Sequence, residues 1–257
     1  GGAPLPLWVL APGTGDAPET ALWMSGLLPF AQLHGFALLV LAGERNVLNV
    51  GLHARALAWL PDDVAYVRAA LREAGRLLCL DTRRVFCAGF SRGARFCSRL
   101  ASELAGSFAA MALVAGVRFP RPNNATRPMP ILAFHGTVDP VNPYPGSGNP
   151  SYWHGSVPAA VAQWAAFNGC SGNETRQLSA HISMERHTAC REGAEVALAT
   201  VRGGGHTWPG SQYPFPLKTS GYTNQELRAN EEILRFFERH ARPPLAAAGL
   251  WALPPAP

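Results

Sequence analysis

Val85-Phe86-Cys87-Ala88-Gly89-Phe90-Ser91-Arg92-Gly93 decides how this chain reads. Val85 to Gly89 is an apolar run of strand length, Ser91 terminates it, and Arg92 to Leu104 reads as a helix. A serine with a glycine two residues away on each side suits such a junction. The glycines let the backbone pass through a sharp bend, which pushes the Ser91 hydroxyl into the open. The amide after the serine, that of Arg92, then faces any negative charge developing nearby. The helix N-terminus adds its own partial positive charge.

The pattern around this unit repeats strand then helix. Leu7-Trp8-Val9-Leu10-Ala11 reads as a buried strand that stops at Pro12-Gly13-Thr14-Gly15. A helix follows from about Glu19 to His34, closed by Gly35. Phe36 to Leu41 is apolar throughout, as in a parallel strand covered on both faces. Pro61-Asp62-Asp63 opens the next helix, with Val64, Val67, Leu71, Ala74 and Leu78 at helical spacing. Ala110–Ala115, Ile131–Phe134 and Glu195–Val201 are further strands, and Ser156 with Pro158 opens a helix reaching Phe167. Thr223 and Glu226 match a capping box for a last helix ending at Arg239. Alternating strands and helices predict a mostly parallel sheet covered on both faces, an α/β domain over residues 1–242. Residues 243–257, rich in Pro, Ala and Leu, read as a tail outside it.

A serine hydroxyl needs a base in hydrogen-bond reach and a third group to hold that base. Asp139 is the only aspartate between Ser91 and the glycine-rich segment Gly203-Gly204-Gly205-His206-Thr207-Trp208. It lies on the loop after strand 131–134, where parallel sheets present functional groups. Glu174 and Glu195 are less well placed. Among His154, His181, His187, His206 and His240, only His206 follows three glycines, whose backbone permits close approach. Ser91, Asp139 and His206 are therefore the expected nucleophile, orienting acid and base. Arg92 and Thr14 are the expected backbone oxyanion donors, with Gly13 the neighbouring source. Trp208, Trp153 and Tyr152 lie near these loops and are candidates for the substrate pocket. His135 reads as structural. The chemistry calls for no metal and no organic cofactor.

Composition narrows the class. The chain has 257 residues, 47% of them hydrophobic, enough for a large core, and no apolar run approaches the ~20 residues of a membrane span. The formal charge is +5, and Lys218 is the sole lysine. The arginines are scattered without aromatic platforms, which argues against nucleic acid as a partner. Of five cysteines, none forms a Cys-x-x-Cys pair or a zinc-spaced cluster. Cys170 and Cys190 bracket a polar stretch and read either as a disulfide of an oxidising compartment or as two free thiols. Cys87, within a strand, reads as a small core residue. Asn124-Ala125-Thr126 and Asn173-Glu174-Thr175 are glycosylation sequons.

GFSRGARF (89–96), ILAFHGTVDPVNPYPG (131–146), SVPAAVAQWAAFNGC (156–170) and GAEVALATVRGGGHTWPG (193–210) resemble the secreted feruloyl esterase / polyhydroxybutyrate depolymerase family of esterase D-like α/β-hydrolases. The likeness runs from about Pro6 to Arg242. It implies an α/β-hydrolase fold, a Ser91–Asp139–His206 triad, a Cys170–Cys190 bridge and extracellular hydrolysis of carboxylic esters. Aryl esters on plant polysaccharide are the first expectation and a hydroxyalkanoate polyester the second. A catalytically silent α/β-hydrolase used for binding is the alternative of another class. Four departures stand out. Pro12-Gly13 replaces the usual His-Gly, and Arg92-Gly93 replaces Asn-Gly. Ser102 replaces a cysteine, so Cys79 loses its usual partner unless Cys97 takes that place. Only six residues precede strand 7–11, so the usual N-terminal β-hairpin is expected to be missing. Strand 36–41 is then expected at an exposed apolar edge, favouring association detectable by light scattering.

Overall fold

The computed structural model describes residues 3–51, 60–148, 153 and 155–242. The tail expected over 243–257 lies outside the described residues. Eight strands form one sheet: β1 (Leu5–Ala11), β2 (Ala37–Val40), β3 (Leu80–Phe90), β4 (Ala110–Val114), β5 (Ile131–Gly136), β6 (Gly172–Gln177), β7 (Ile182–Thr188) and β8 (Val196–Val201). Their order is β2-β1-β3-β4-β5-β8-β7-β6. The six strands from β2 to β8 run parallel, and β7 and β6 add an antiparallel ribbon at one edge.

The helices are α1 (Pro18–Ser25), α2 (Leu27–His34), α3 (Asp63–Leu77), α4 (Arg92–Glu103), α5 (Val157–Asn168), α6 (Leu217–Ser220) and α7 (Ala229–Arg239). They cover both faces of the sheet. Along β1, Leu7, Val9 and Ala11 enter one core with Val67 of α3, Leu100 of α4 and Trp164 of α5. Trp8 and Leu10 enter the other with Met24 of α1, Leu27 of α2 and Phe237 of α7. This two-sided burial explains why the parallel strands read as continuous apolar runs and not as alternating ones. None of the described helices is long and apolar enough to cross a membrane.

Several local expectations need correction. The helix expected over 19–34 is two helices, because Gly26 takes a left-handed conformation (φ 63°) and ends α1. The capping box at Thr223 and Glu226 does not form. Asn224 Oδ1 accepts from the Glu226 and Leu227 amides instead, and the Glu226 carboxylate accepts from Ser179 and His181. Strand β2 lies at the sheet edge and is half-buried. The ribbon β6–β7 had no apolar signal, since β6 turns almost wholly to solvent.

Cysteine pairing also differs in part. Cys170 and Cys190 are joined. Cys87 is more than a small core residue, being bonded to Cys97 on α4, while Cys79 is exposed and free. The Cys170–Cys190 bridge ties the end of α5 to the end of β7. Its removal in Cys170→Ser is expected to cost about 3 kcal/mol. That lowers Tm by roughly 6–12 °C for a chain of this size, readable by scanning calorimetry.

Candidate active site

The site is built at the C-terminal ends of the parallel strands. Ser91 sits in the one-residue turn between β3 and α4 with φ 53° and ψ −114°, a strained backbone for a residue with a side chain. Close packing holds it there. A Cβ added to Gly93 would overlap the carbonyl oxygens of Ala11 and Pro12 at the end of β1, so α4 can start only against bare backbone. Gly89 faces Gly93 in the same way. Gly93→Ala is accordingly expected to destabilise the fold by about 3 kcal/mol, through a clash with backbone that cannot rotate aside. A urea titration of the variant measures it.

The acid and the imidazole arrive on two loops strapped together. After β5, the Thr137 amide donates to Val201 O at 2.9 Å and the Val138 amide to Gly204 O at 3.1 Å. The far side of the histidine loop is fixed by the Gly205 amide to Tyr222 O (2.9 Å) and the His206 amide to Ser220 O (2.5 Å). These straps bring three side chains together from positions 91, 139 and 206. His206 Nε2 lies 2.8 Å from Ser91 Oγ, and His206 Nδ1 lies 2.7 Å from Asp139 Oδ2. All three residues are buried.

Asp139 is itself held on both oxygens. Its Oδ1 accepts from the amides of Val141 and Asn142, each at 2.8 Å. Burial raises its pKa, but hydrogen bonds from His135 and His206 outweigh burial and hold the carboxyl well below the ordinary range. It is therefore a carboxylate throughout the neutral range. His135, read as structural from sequence, contributes here: its Nε2 donates to Asn142 O at 2.8 Å and stands 3.3 Å from Asp139 Oδ2. Asn142 in turn donates to Ala115 O at 2.7 Å, pinning the acid loop to the end of β4.

The other predicted residues fare differently. The Arg92 side chain turns away from the serine to donate from Nε to Leu48 O. Its amide begins α4 directly after Ser91. Thr14 is exposed, in the turn after β1. Beside it Asp16, a residue the sequence reading passed over, lies close enough for the charge of His206 to act on it. Burial pushes the Asp16 carboxyl up, with the Gly13 amide and His206 partly offsetting. An acid five residues beyond a strand that ends at the site was the available signal. Trp208 is a core residue: its indole N–H donates to Asn230 Oδ1 at 3.0 Å among apolar neighbours. Trp153 is buried, donates to Pro143 O at 2.8 Å and stacks on His135. Tyr152 lies outside the described residues. Glu195 lies at the opposite end of β8 from His206, facing Arg186 and Arg239.

No protein-family model matches the chain. The chain is 29% identical over 253 residues to NocK of Nocardia uniformis subsp. tsuyamanensis, a protein named as an esterase, covering 90% of this chain and 73% of that one. It is 33% identical over 160 residues to feruloyl esterase B of Piromyces equi, covering 56% of this chain and 29% of the relative. Acetyl xylan esterase from Aspergillus awamori superposes over 92% of this chain and 89% of its own, with a TM-score of 0.62 at 13% identity. MGS-M1, an alpha/beta hydrolase enzyme from a Medee basin deep-sea metagenome library, superposes over 93% of this chain and 85% of its own, with a TM-score of 0.56 at 14% identity.

The chain has an α/β-hydrolase fold and is similar in sequence to proteins named feruloyl esterase and esterase. The sheet continues past β8, the strand that leads into the His206 loop, with two antiparallel strands, β7 and β6.

Proposed function

We propose that this α/β-hydrolase cleaves carboxylic esters through an acyl-enzyme on Ser91. The observation that carries the reading is the unbroken chain from Ser91 Oγ through the His206 imidazole to the Asp139 carboxylate, 2.8 Å and 2.7 Å long. His206 takes the Ser91 proton as the hydroxyl attacks the ester carbonyl, and Asp139 stabilises the resulting imidazolium. The tetrahedral oxyanion is met by the Arg92 amide and by a second amide of the loop after β1, at Thr14; loss of one such donor typically costs about 3 kcal/mol. His206 then protonates the leaving alcohol. Water, activated by the same imidazole, attacks the acyl-enzyme, frees the acid and restores Ser91.

Feruloyl esters of plant polysaccharide are the proposed substrates, supported by the similarity to feruloyl esterase B. An extracellular, oxidising location is proposed on the two disulfides. Purified protein is expected to release ferulate from methyl ferulate, followed by its absorbance. Clearing of a polyhydroxybutyrate suspension without ferulate release would move the substrate to a polyester. Folded protein inert toward both, and toward p-nitrophenyl acetate, would indicate a binding module.

A further inference from the structure

A cavity of about 740 Å³ opens beside α4, one helical turn from the catalytic serine. The Arg95 amide donates to Ser91 O at 3.1 Å, and the Arg95 side chain lines the cavity. From the other side, Gly116 packs so closely on Ser91 O that a Cβ there would overlap it, and Val117 and Arg118 continue directly into the cavity wall. Trp153 forms a shared partition, with His135 of the acid loop stacked 5.7 Å from it. The space is therefore adjacent to the proposed triad but separate from it.

Its charge is strongly one-sided. The charged residues lining it are Arg95, Arg99, Arg118, Arg121 and Glu103. Glu103 is spoken for by Arg99 Nε at 2.6 Å, and Arg99 Nη1 donates to Asn49 O at 2.8 Å. Among the described residues, the guanidiniums of Arg118 and Arg121 then face the cavity with no lining carboxylate left to balance them. Among the described residues, Arg121 reaches a neutral partner, Gln163 Oε1 at 3.2 Å. Arg118 lies over the Trp153 ring, 5.7 Å from its centroid, and its Nη2 is buried with no hydrogen-bond partner among the described residues. Burial, then the like charges of Arg95 and Arg92, push this guanidinium down to about 9, so it is still a cation at neutral pH. A buried cation lacking a counter-charge is unfavourable, and an oxyanion is the group whose geometry matches a guanidinium fork.

We propose that this cavity binds a small organic oxyanion, a carboxylate or a phosphate, with Arg118 and Arg121 as its ligands. The volume suits a ligand of about monosaccharide size or larger. The anion can be an acidic group carried by the ester substrate or a separate small molecule; the chemistry of recognition is the same. The claim about binding does not depend on Ser91 being a nucleophile.

Isothermal titration of the full chain at about 0.02 M ionic strength, where charge pairs are weakly screened, tests it. The probes are D-galacturonate and inorganic phosphate, with D-galactose as the neutral control. At least one anion is expected to bind saturably with one site per chain, galactose not at all, and Ser91→Ala to bind the anion as the parent does. Arg118→Gln is expected to weaken binding about tenfold or more, the loss of a charge-assisted fork. Should Arg118→Gln fail to give the parent circular dichroism spectrum, Arg121→Glu at the exposed rim is expected to weaken binding by a similar factor. Absence of saturable binding by both anions, or affinity unchanged in the folded variants, would overturn the site. Galacturonate inhibition of a carboxylate-bearing p-nitrophenyl ester, with p-nitrophenyl acetate spared, assigns the anion to the substrate. Binding with equal effect or no effect on both esters assigns it to a separate ligand.

Discussion

Ser91→Ala is expected to lower kcat/KM for p-nitrophenyl acetate by about 10⁶-fold, the scale seen when a triad nucleophile is removed. The physical reason is local. Ser91 Oγ is hydrogen-bonded to His206 Nε2, and the strained turn holds it at the end of β3. Alanine keeps the backbone and removes the atom proposed to form the acyl bond. Backbone packing at the turn involves Gly93 and Gly116, not the serine side chain, so the fold is expected to survive. Far-ultraviolet circular dichroism and Tm within a few degrees of the parent would show that the loss is chemical. A variant retaining more than about one hundredth of parental activity would mean that another group attacks the ester.

Asp139→Asn is expected to cost about 10⁴-fold in kcat/KM with KM little changed. Asp139 Oδ1 accepts two backbone amides, from Val141 and Asn142. In the variant, the amide oxygen must stay there, because an NH2 group would face two N–H donors. The NH2 group is then forced toward His206. It donates where the carboxylate accepted, so Nδ1 becomes the acceptor and the proton moves to Nε2. The imidazole then presents N–H to Ser91 and cannot take its proton. The imidazolium also loses its counter-charge, since the carboxyl it faced is ionised across the neutral range. Steady-state kinetics at pH 7–8 measure the loss. A decrease below about tenfold would mean that the Asp16 carboxylate, which feels the charge of His206, supplies the missing negative charge.

Much of the scaffold was legible because parallel strands covered on both faces appear as unbroken apolar runs. The runs in β1, β4, β5 and β8 fell within a residue or two of the observed bounds. The start of β3 was missed because Asp81-Thr82-Arg83-Arg84 is polar. Those side chains satisfy one another, the Asp81 carboxylate accepting from both Arg83 and Arg84. The edge strand β6 carries no apolar signal because it is turned to solvent, and β7 offers only Ile182 and Met184 at alternate buried positions, too short a pattern to read as a strand. Gly26 broke a helix whose spacing continued on both sides of it, since a left-handed residue changes direction without changing composition.

At the site, chemistry narrowed the choice of acid and base, because one aspartate lay in the right interval and one histidine followed a glycine run. Legibility fell off with the supporting contacts. That His135 bonds Asn142 O, that Asn142 fixes Ala115 O, and that Asp16 sits near His206 depend on how loops fold back in space. No spacing rule encodes that. The same holds for the Cys87–Cys97 bond and for the arginine cavity, whose members come from the segment after β2, α4, the loop after β4, the loop before α5 and α5 itself.

The central claim is that Ser91 is a nucleophile made reactive by His206. Reaction of the parent protein with a fluorophosphonate probe, followed by tryptic digestion and tandem mass spectrometry, tests it most directly. One adduct per chain on the Ser91 hydroxyl is the predicted result, absent in Ser91→Ala and slowed in Asp139→Asn. Folded parent protein that remains unlabelled, or that carries the adduct on a different residue, would contradict the account.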